Sequence, residues 1–289
     1  MRRISVGILA ASSAALTILL ASCGSPSLPV KALDQQAAAQ MTGVGATGDA
    51  FVASMMSPGG FSPAAVGAQA LGTATVQPVP QATTTCTTKT GDATDADNDH
   101  WSVNLKVTYD CHSSSTYGSS SITGSVSEHD YDDQDALSGY EAHINDLSLS
   151  GSSSGSSYNL TENMDWVLTR GAPGNYALDY NFSIDMSSSG GSSSTSGYFA
   201  LDGKPTYVAD SPSSPFASGT FTFDGKVTFE DSGARYVVTR KSTAGGVHYN
   251  DSCSGFDSGS VVYHDQNGGG SATVTYTSGC SYNVNYSGF

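Results

Sequence analysis

From Cys86 to the C-terminus, apolar residues recur at every second position, the period of a strand with one buried face. Val103, Leu105, Val107, Tyr109 and Cys111 alternate with Asn104, Lys106, Thr108 and Asp110. Tyr176, Leu178, Tyr180, Phe182, Ile184 and Met186 carry the pattern over a longer run. Tyr158, Leu160, Met164, Trp166 and Leu168 do the same with Glu162 as the intruder, and Phe221, Phe223, Val227 and Phe229 follow. Near the end, Val274 and Tyr276 precede Cys280, Tyr282, Val284 and Tyr286. No helical stripe of comparable length accompanies them, so helices are minor in this region. Ser/Gly tracts at Ser113 to Ser121, Ser150 to Ser157 and Ser187 to Ser196 separate the runs and read as hairpin connections. The pattern predicts an all-β domain over residues 86–289. It is an antiparallel meander with one apolar face, which must curl into a partly closed barrel or fold into a sandwich. Lipid-facing strands of a membrane barrel share this period, but such barrels need aromatic girdles at both interfaces, and a soluble domain is the expectation.

Two dipeptides look like hairpin turns, and register separates them. A turn at Asp224-Gly225 would set Phe223 opposite Lys226, mixing the faces, whereas one continuous strand keeps Phe221, Phe223, Gly225, Val227 and Phe229 together with a bend or bulge at the glycine. A turn at Asp202-Gly203 places Tyr198 opposite Tyr207 and Ala200 opposite Pro205, so a hairpin is predicted there.

The chain ahead of this domain is different. Arg2 and Arg3 precede an apolar run from Ile4 to Leu20, the layout of a secretory signal. Leu20-Ala21-Ser22-Cys23 then resembles the lipobox of bacterial lipoproteins. The resemblance implies cleavage after residue 22, and a Cys23 N-terminus carrying a thioether-linked diacylglycerol and an amide-linked acyl chain such as palmitate. Chains in that number anchor stably. Gly24 stands where many Gram-negative lipoproteins carry the Asp of inner-membrane retention, so the resemblance leans to the outer membrane of the cell envelope. Residues 23–85 are rich in Ala, Gly, Ser and Thr and contain Pro26, Pro29, Pro58, Pro63, Pro78 and Pro80. Such a stretch reads as a disordered low-complexity tether with short helical turns around Ala32 to Met41 and Asp49 to Met56. The alternative is that these turns dock on the folded domain, since Phe51, Val52, Met55 and Met56 are apolar.

Charge and cysteines narrow the partners. The chain has 11 basic and 26 acidic residues, a formal charge of −15; removal of Arg2 and Arg3 with the signal leaves 9 − 26 = −17. Nucleic acid and anionic headgroups, which need basic patches, are excluded as partners, and cations are favoured. Of the 5 cysteines, Cys23 is assigned to the lipid, leaving Cys86, Cys111, Cys253 and Cys280. An exported chain meets an oxidising compartment, so disulfides are expected. Four cysteines allow three pairings; proximity in the chain favours Cys86 with Cys111 and Cys253 with Cys280. A zinc site has no close cysteine or histidine pair to build on.

Motifs for catalysis are scarce. Gly151 to Gly155 matches G-x-S-x-G, but it lies in a Ser/Gly tract and not between a strand and a helix. His100, His112, His129, His143, His248 and His264 show no metal spacing, and the adjacent pairs His129-Asp130 and His264-Asp265 read as loop polarity. The constellation with chemistry is Asp92, Asp95, Asp97 and Asp99, where alternate carboxylates on a tight loop can turn inward around a hard cation. It resembles the D-x-D-x-D calcium loops of EF-hand, dockerin and thrombospondin type 3 modules, and implies Ca²⁺. It departs from them at His100, in the place of the turn glycine, and at Lys106, in the place of the bidentate Glu. The second acidic stretch, Glu128, Asp130, Asp132, Asp133 and Asp135, lacks that regularity and reads as a solvated turn. Three functions fit: a non-catalytic lipid-anchored envelope protein for surface binding or structure, a carrier of an apolar ligand on a curved sheet, and a secreted hydrolase. The missing motifs favour the first.

Overall fold

The computed structural model describes residues 28–39, 41–43, 46, 52 and 86–289, the last span without 117, 154, 191, 192, 232 and 254. The signal segment and Cys23 lie outside the described residues, as does most of the helical turn expected around Asp49 to Met56. From Cys86 onward the chain is all-β. Its strands are β1 (Thr87–Asp92), β2 (Asn104–Ser115), β3 (Gly118–Asp130), β4 (Gly139–Ser153), β5 (Ser156–Arg170), β6 (Asn175–Gly190) and β7 (Ser193–Gly203). After them come β8 (Thr206–Ala209), β9 (Ser218–Thr222), β10 (Asp224–Asp231), β11 (Ala234–Asn250), β12 (Gly255–Asp265), β13 (Ser271–Thr277) and β14 (Ser281–Ser287). They form one antiparallel meander sheet, curled into a partial ring, in order from β1 to β7 and then from β10 to β14, with β8 between β6 and β9.

The chain runs straight through both suspected turns. At Asp224-Gly225 this agrees with the register argument: Phe221, Phe223, Val227 and Phe229 are all buried on one face. Gly225 is needed because a Cβ there would sit 2.1 Å from the Asp202 carbonyl. At Asp202-Gly203 it is a correction. β6 pairs Tyr180 with Gly203 and, in the same register, Ala177 with Thr206, so β7 and β8 are two pieces of one strand. Pro205, with no N–H to give, interrupts the ladder without turning the chain, and its carbonyl still accepts from Leu178 N at 2.9 Å. The face is built from Phe199, Leu201 and Tyr207, not from Tyr198 and Ala200.

The Ser/Gly tracts are also more ordered than connections. β2 reaches Ser115, β5 begins at Ser156 and β6 ends at Gly190, so the ladders continue to the hairpin tips. Ser119 with Ser152, Ser121 with Ser150 and Ser157 with Ser189 pair by hydroxyls 2.9, 2.7 and 2.8 Å apart. Bulges correct the pleat where the apolar period slips. Ile144 and Leu147 both point inward although three positions apart, because the β4 ladder shifts between them and Asp146 takes φ 47°.

A single core gathers the inward face. Trp101 stacks on Tyr140 with ring centroids 3.5 Å apart, and Trp166 on Tyr180 at 5.8 Å. Arg240, fully buried, donates to the Tyr180 hydroxyl and lies 4.5 Å from the Phe223 ring centroid. The enclosed space beside Trp101, Tyr140, Leu168 and Phe216 is about 10 Å³, room for one water at most.

The N-terminal segment belongs to this core, which corrects the tether expectation for its described residues. Residues 35–39 and 41–43 are helical. Asp34 caps them, its Oδ1 accepting from Ala37 N at 2.8 Å. Ala37, Met41 and Thr42 are buried from this helix, and Leu33 is buried just ahead of its cap. Val30 forms a parallel bridge with Arg235, and Leu33 N donates to the buried Asp265 carboxylate at 2.8 Å. Alternation is a poor guide here, because small residues such as Ala37, Ala38 and Ala46 carry little hydropathy and fit where the sheet leaves little room. The expected disulfides are both present. Cys86–Cys111 ties the entry of β1 to β2, and Cys253–Cys280 ties the loop after β11 to the β13–β14 turn, with Cα atoms 4.8 and 5.5 Å apart.

Candidate metal centre

Because adjacent strands are antiparallel, the β1–β2 and β3–β4 connections emerge at the same end of the sheet. The first coils tightly: Asn98 and His100 take φ 63° and 79°, the left-handed conformation that a glycine would adopt without strain. His100 thus takes the left-handed turn that the resemblance assigns to a glycine. Asp97 Oδ1 accepts from Asp99 N at 3.2 Å, Asp99 Oδ1 from Trp101 N at 2.8 Å, and Asp95 Oδ2 from His100 N at 3.2 Å. These bonds aim the three carboxylates inward, and one oxygen of each lies within 4.8 Å of the others.

Asp92 is not among them. Its Oδ1 accepts from Thr94 N at 2.9 Å and from the Thr94 hydroxyl, and these bonds hold its pKa below the usual value. Lys106, at the place of the bidentate Glu, is exposed on β2 opposite Ser127.

Further carboxylates approach from the second acidic stretch, which is not simply a solvated turn. Glu128 and Asp130 are 4% and 3% exposed. Asp97, Asp130 and Asp133 form a second trio with oxygens within 4.8 Å. Asp133 Oδ1 accepts from Ala96 N at 2.7 Å, and Asp130 N donates to Ser102 O at 3.1 Å, so the connections are laced together. One sequence signal did point to them. Glu128 and Asp130 continue the inward parity of Ile122 and Val126 along β3, where a carboxylate needs a reason to be.

The electrostatics are those of a site short of positive charge. Burial pushes the Asp99 carboxyl up to about 7; the hydrogen bond from Trp101 N opposes this, and the charges of Asp97, Asp130 and Asp95 add to it. Burial also raises Asp97, opposed by the bond from Asp99 N and aided by Asp130, Asp95 and Asp133, and burial raises Glu128, which the hydrogen bonds from Ser102 and then Lys89 partly offset. Asp95 Oδ1, Asp97 Oδ2, Asp130 Oδ2 and Glu128 Oε2 are closed off from solvent without a hydrogen-bond partner. Buried acceptors normally find donors, and a divalent cation is the group that satisfies several carboxylates at once.

Other titratable clusters offer less. His248 lies between Asp257, 2.7 Å from Nδ1, and Asp210, 2.9 Å from Nε2. Both nitrogens are engaged by carboxylates, so neither is presented to a substrate as a general base. The Ser218 hydroxyl donates to Asp210 at 2.6 Å and not to the imidazole. Ser153, the serine of the G-x-S-x-G match, ends β4 paired with Gly118 and Ser156 at a hairpin tip, not at the strand-to-helix turn a nucleophile elbow requires. No protein-family model, characterised protein or solved structure matches the chain.

Proposed function

We propose that this chain is a non-catalytic, lipid-anchored protein of the bacterial cell envelope, held through Cys23 in the outer membrane. Its β-domain presents a rigid surface for binding or coat structure, and the loop of Asp95, Asp97 and Asp99 holds Ca²⁺. The observation that carries this reading is the cysteine pairing. Cys86, Cys111, Cys253 and Cys280 are consumed in two disulfides, which suit an oxidising compartment and leave Cys23 as the cysteine free for a lipid. No described helix is long and apolar enough to cross a membrane. In this reading the acyl chains at Cys23 supply the anchor, and residues 24–27 separate it in the chain from the docked segment. The filled apolar face and the doubly engaged His248 favour a scaffold over a carrier or a hydrolase.

Labelling cells with a palmitate analogue tests the anchor. Label is expected on the wild-type chain and absent from Cys23→Ser, with the variant leaving the membrane fraction or retaining its signal. A wild-type chain without Cys23-dependent label overturns the proposal.

A further inference from the structure

We infer that the second acidic stretch supplies a cation position of its own, formed by Asp97, Asp130 and Asp133, so that two Ca²⁺ ions share Asp97 and clasp the two connections together. This rests on the reading of the Asp95, Asp97 and Asp99 loop as a calcium site. The geometry for a second position is independent of that loop's own turn. Oxygens bound to one Ca²⁺ lie at most about 5 Å apart, twice the Ca–O distance. Asp97, Asp130 and Asp133 satisfy that limit with 4.8 Å, as do Asp95, Asp97 and Asp99, and Asp97 is the residue common to both trios.

A cluster of carboxylates on a surface would need no ion, because water solvates each oxygen. Asp130 differs. It is 3% exposed, its Oδ1 is occupied by Asp132 N at 3.2 Å and the Ser138 hydroxyl at 3.1 Å, and its Oδ2 is closed off from water with no protein donor. Asp97 is half-buried, but its Oδ1 is likewise taken by Asp99 N and its Oδ2 is shielded from water and unpartnered. Asp133 keeps one oxygen on Ala96 N at 2.7 Å and has a second to give. Two shielded oxygens without donors thus converge, one from the β1–β2 connection and one from the end of β3, and a buried charged acceptor left without a partner is destabilising. Five carboxylates, Asp95, Asp97, Asp99, Asp130 and Asp133, carry a charge that one divalent ion cannot balance. Calcium suits the site better than magnesium, since the ligands come from irregular loops and Mg²⁺ demands a near-ideal octahedron. The second ion would hold the β3–β4 connection and the end of β3 against the β1–β2 connection, reinforcing the bonds of Asp130 N to Ser102 O, Ser102 N to Glu128 and Ala96 N to Asp133.

The test counts calcium on the full chain, stripped of metal and dialysed to equilibrium against Ca²⁺ in the 10⁻⁴ to 10⁻³ M range typical of about millimolar extracellular sites. The wild type should hold about two ions, and Asp133→Asn and Asp95→Asn about one each, because each substitution weakens a different trio. One ion in the wild type, kept by Asp133→Asn, overturns the second position and leaves the first. One ion lost by both variants means a single composite site and overturns the sharing of Asp97. No ion in any form overturns both readings. Terbium(III) luminescence excited through Trp101, which adjoins the loop, counts positions on the wild type alone. Saturation at about two equivalents of terbium is expected, and saturation at one equivalent refutes the second position even if a variant fails to fold.

Discussion

Met41 is the residue on which the placement of the N-terminal segment can be tested most sharply. It is 0% exposed and lies in the same core cluster as the two tryptophans. Met41→Ala removes the γ-methylene, the sulfur and the terminal methyl group. Lost transfer free energy contributes about 2 kcal/mol at ~0.8 kcal/mol per methylene-sized group. The cavity left behind adds a further 1–2 kcal/mol at about 24 cal/mol per Å³, for a total of roughly 3–4 kcal/mol within the usual range for Met→Ala. For a domain of this size each kcal/mol lowers the melting temperature by about 2–4 °C, so the drop should be roughly 6–15 °C. The assay is thermal unfolding at fixed calcium without reductant, followed by the fluorescence of Trp101 and Trp166, both buried in the β-domain. Gln36→Ala is the control, because Gln36 is on the exposed side of the same helical turn and should stay within about 0.5 kcal/mol of wild type. If Met41→Ala melts with Gln36→Ala and the wild type, the segment is a tether and the core argument is wrong.

His248 should make stability depend on pH in a defined window. Burial opposes its charge, but the hydrogen bonds and charges of Asp210 and Asp257 outweigh that and raise its pKa above 6.5. Its contribution is thus complete below pH 6.5 and lost as pH rises through the higher folded value. For Asp210 the Ser218 and His248 bonds lower the pKa; for Asp257 burial opposes but the His248 and Asn250 bonds prevail. Their share is present above pH 3.8 and fades as pH falls through the lowered values. Urea unfolding of wild type and His248→Gln should differ by about 1 kcal/mol near pH 5 and converge by pH 9; a gap that widens at high pH contradicts the bridge. Breaking Cys86–Cys111 with paired serines should cost about 3.5 kcal/mol from the chain entropy of its loop, whose ends are 25 positions apart. A loss under about 1 kcal/mol in chemical denaturation would show that the bridge does not limit the unfolded chain.

The fold class was legible because period-two alternation is a local property. Tyr176 to Met186 can bury one face only as a strand, and the four paired cysteines lie close enough in the chain for proximity to choose their partners. The continuity of Phe221 to Phe229 was also readable, since a turn would have mixed the faces. Asp202-Gly203 was misread because a register test cannot tell a turn from a straight strand when both leave large residues opposite one another; the pairing of β6 with both β7 and β8 decided it. The docking of Leu33, Met41 and Val52 depends on the shape of a surface assembled from distant strands, which no local pattern records. The acidic centre divides in the same way. Asp95, Asp97 and Asp99 announce themselves by spacing, since they share one loop. Asp130 and Asp133 join them only because the meander returns β3 to the end of the sheet where β2 begins, and a ligand contributed across that distance is a property of topology, not of sequence spacing.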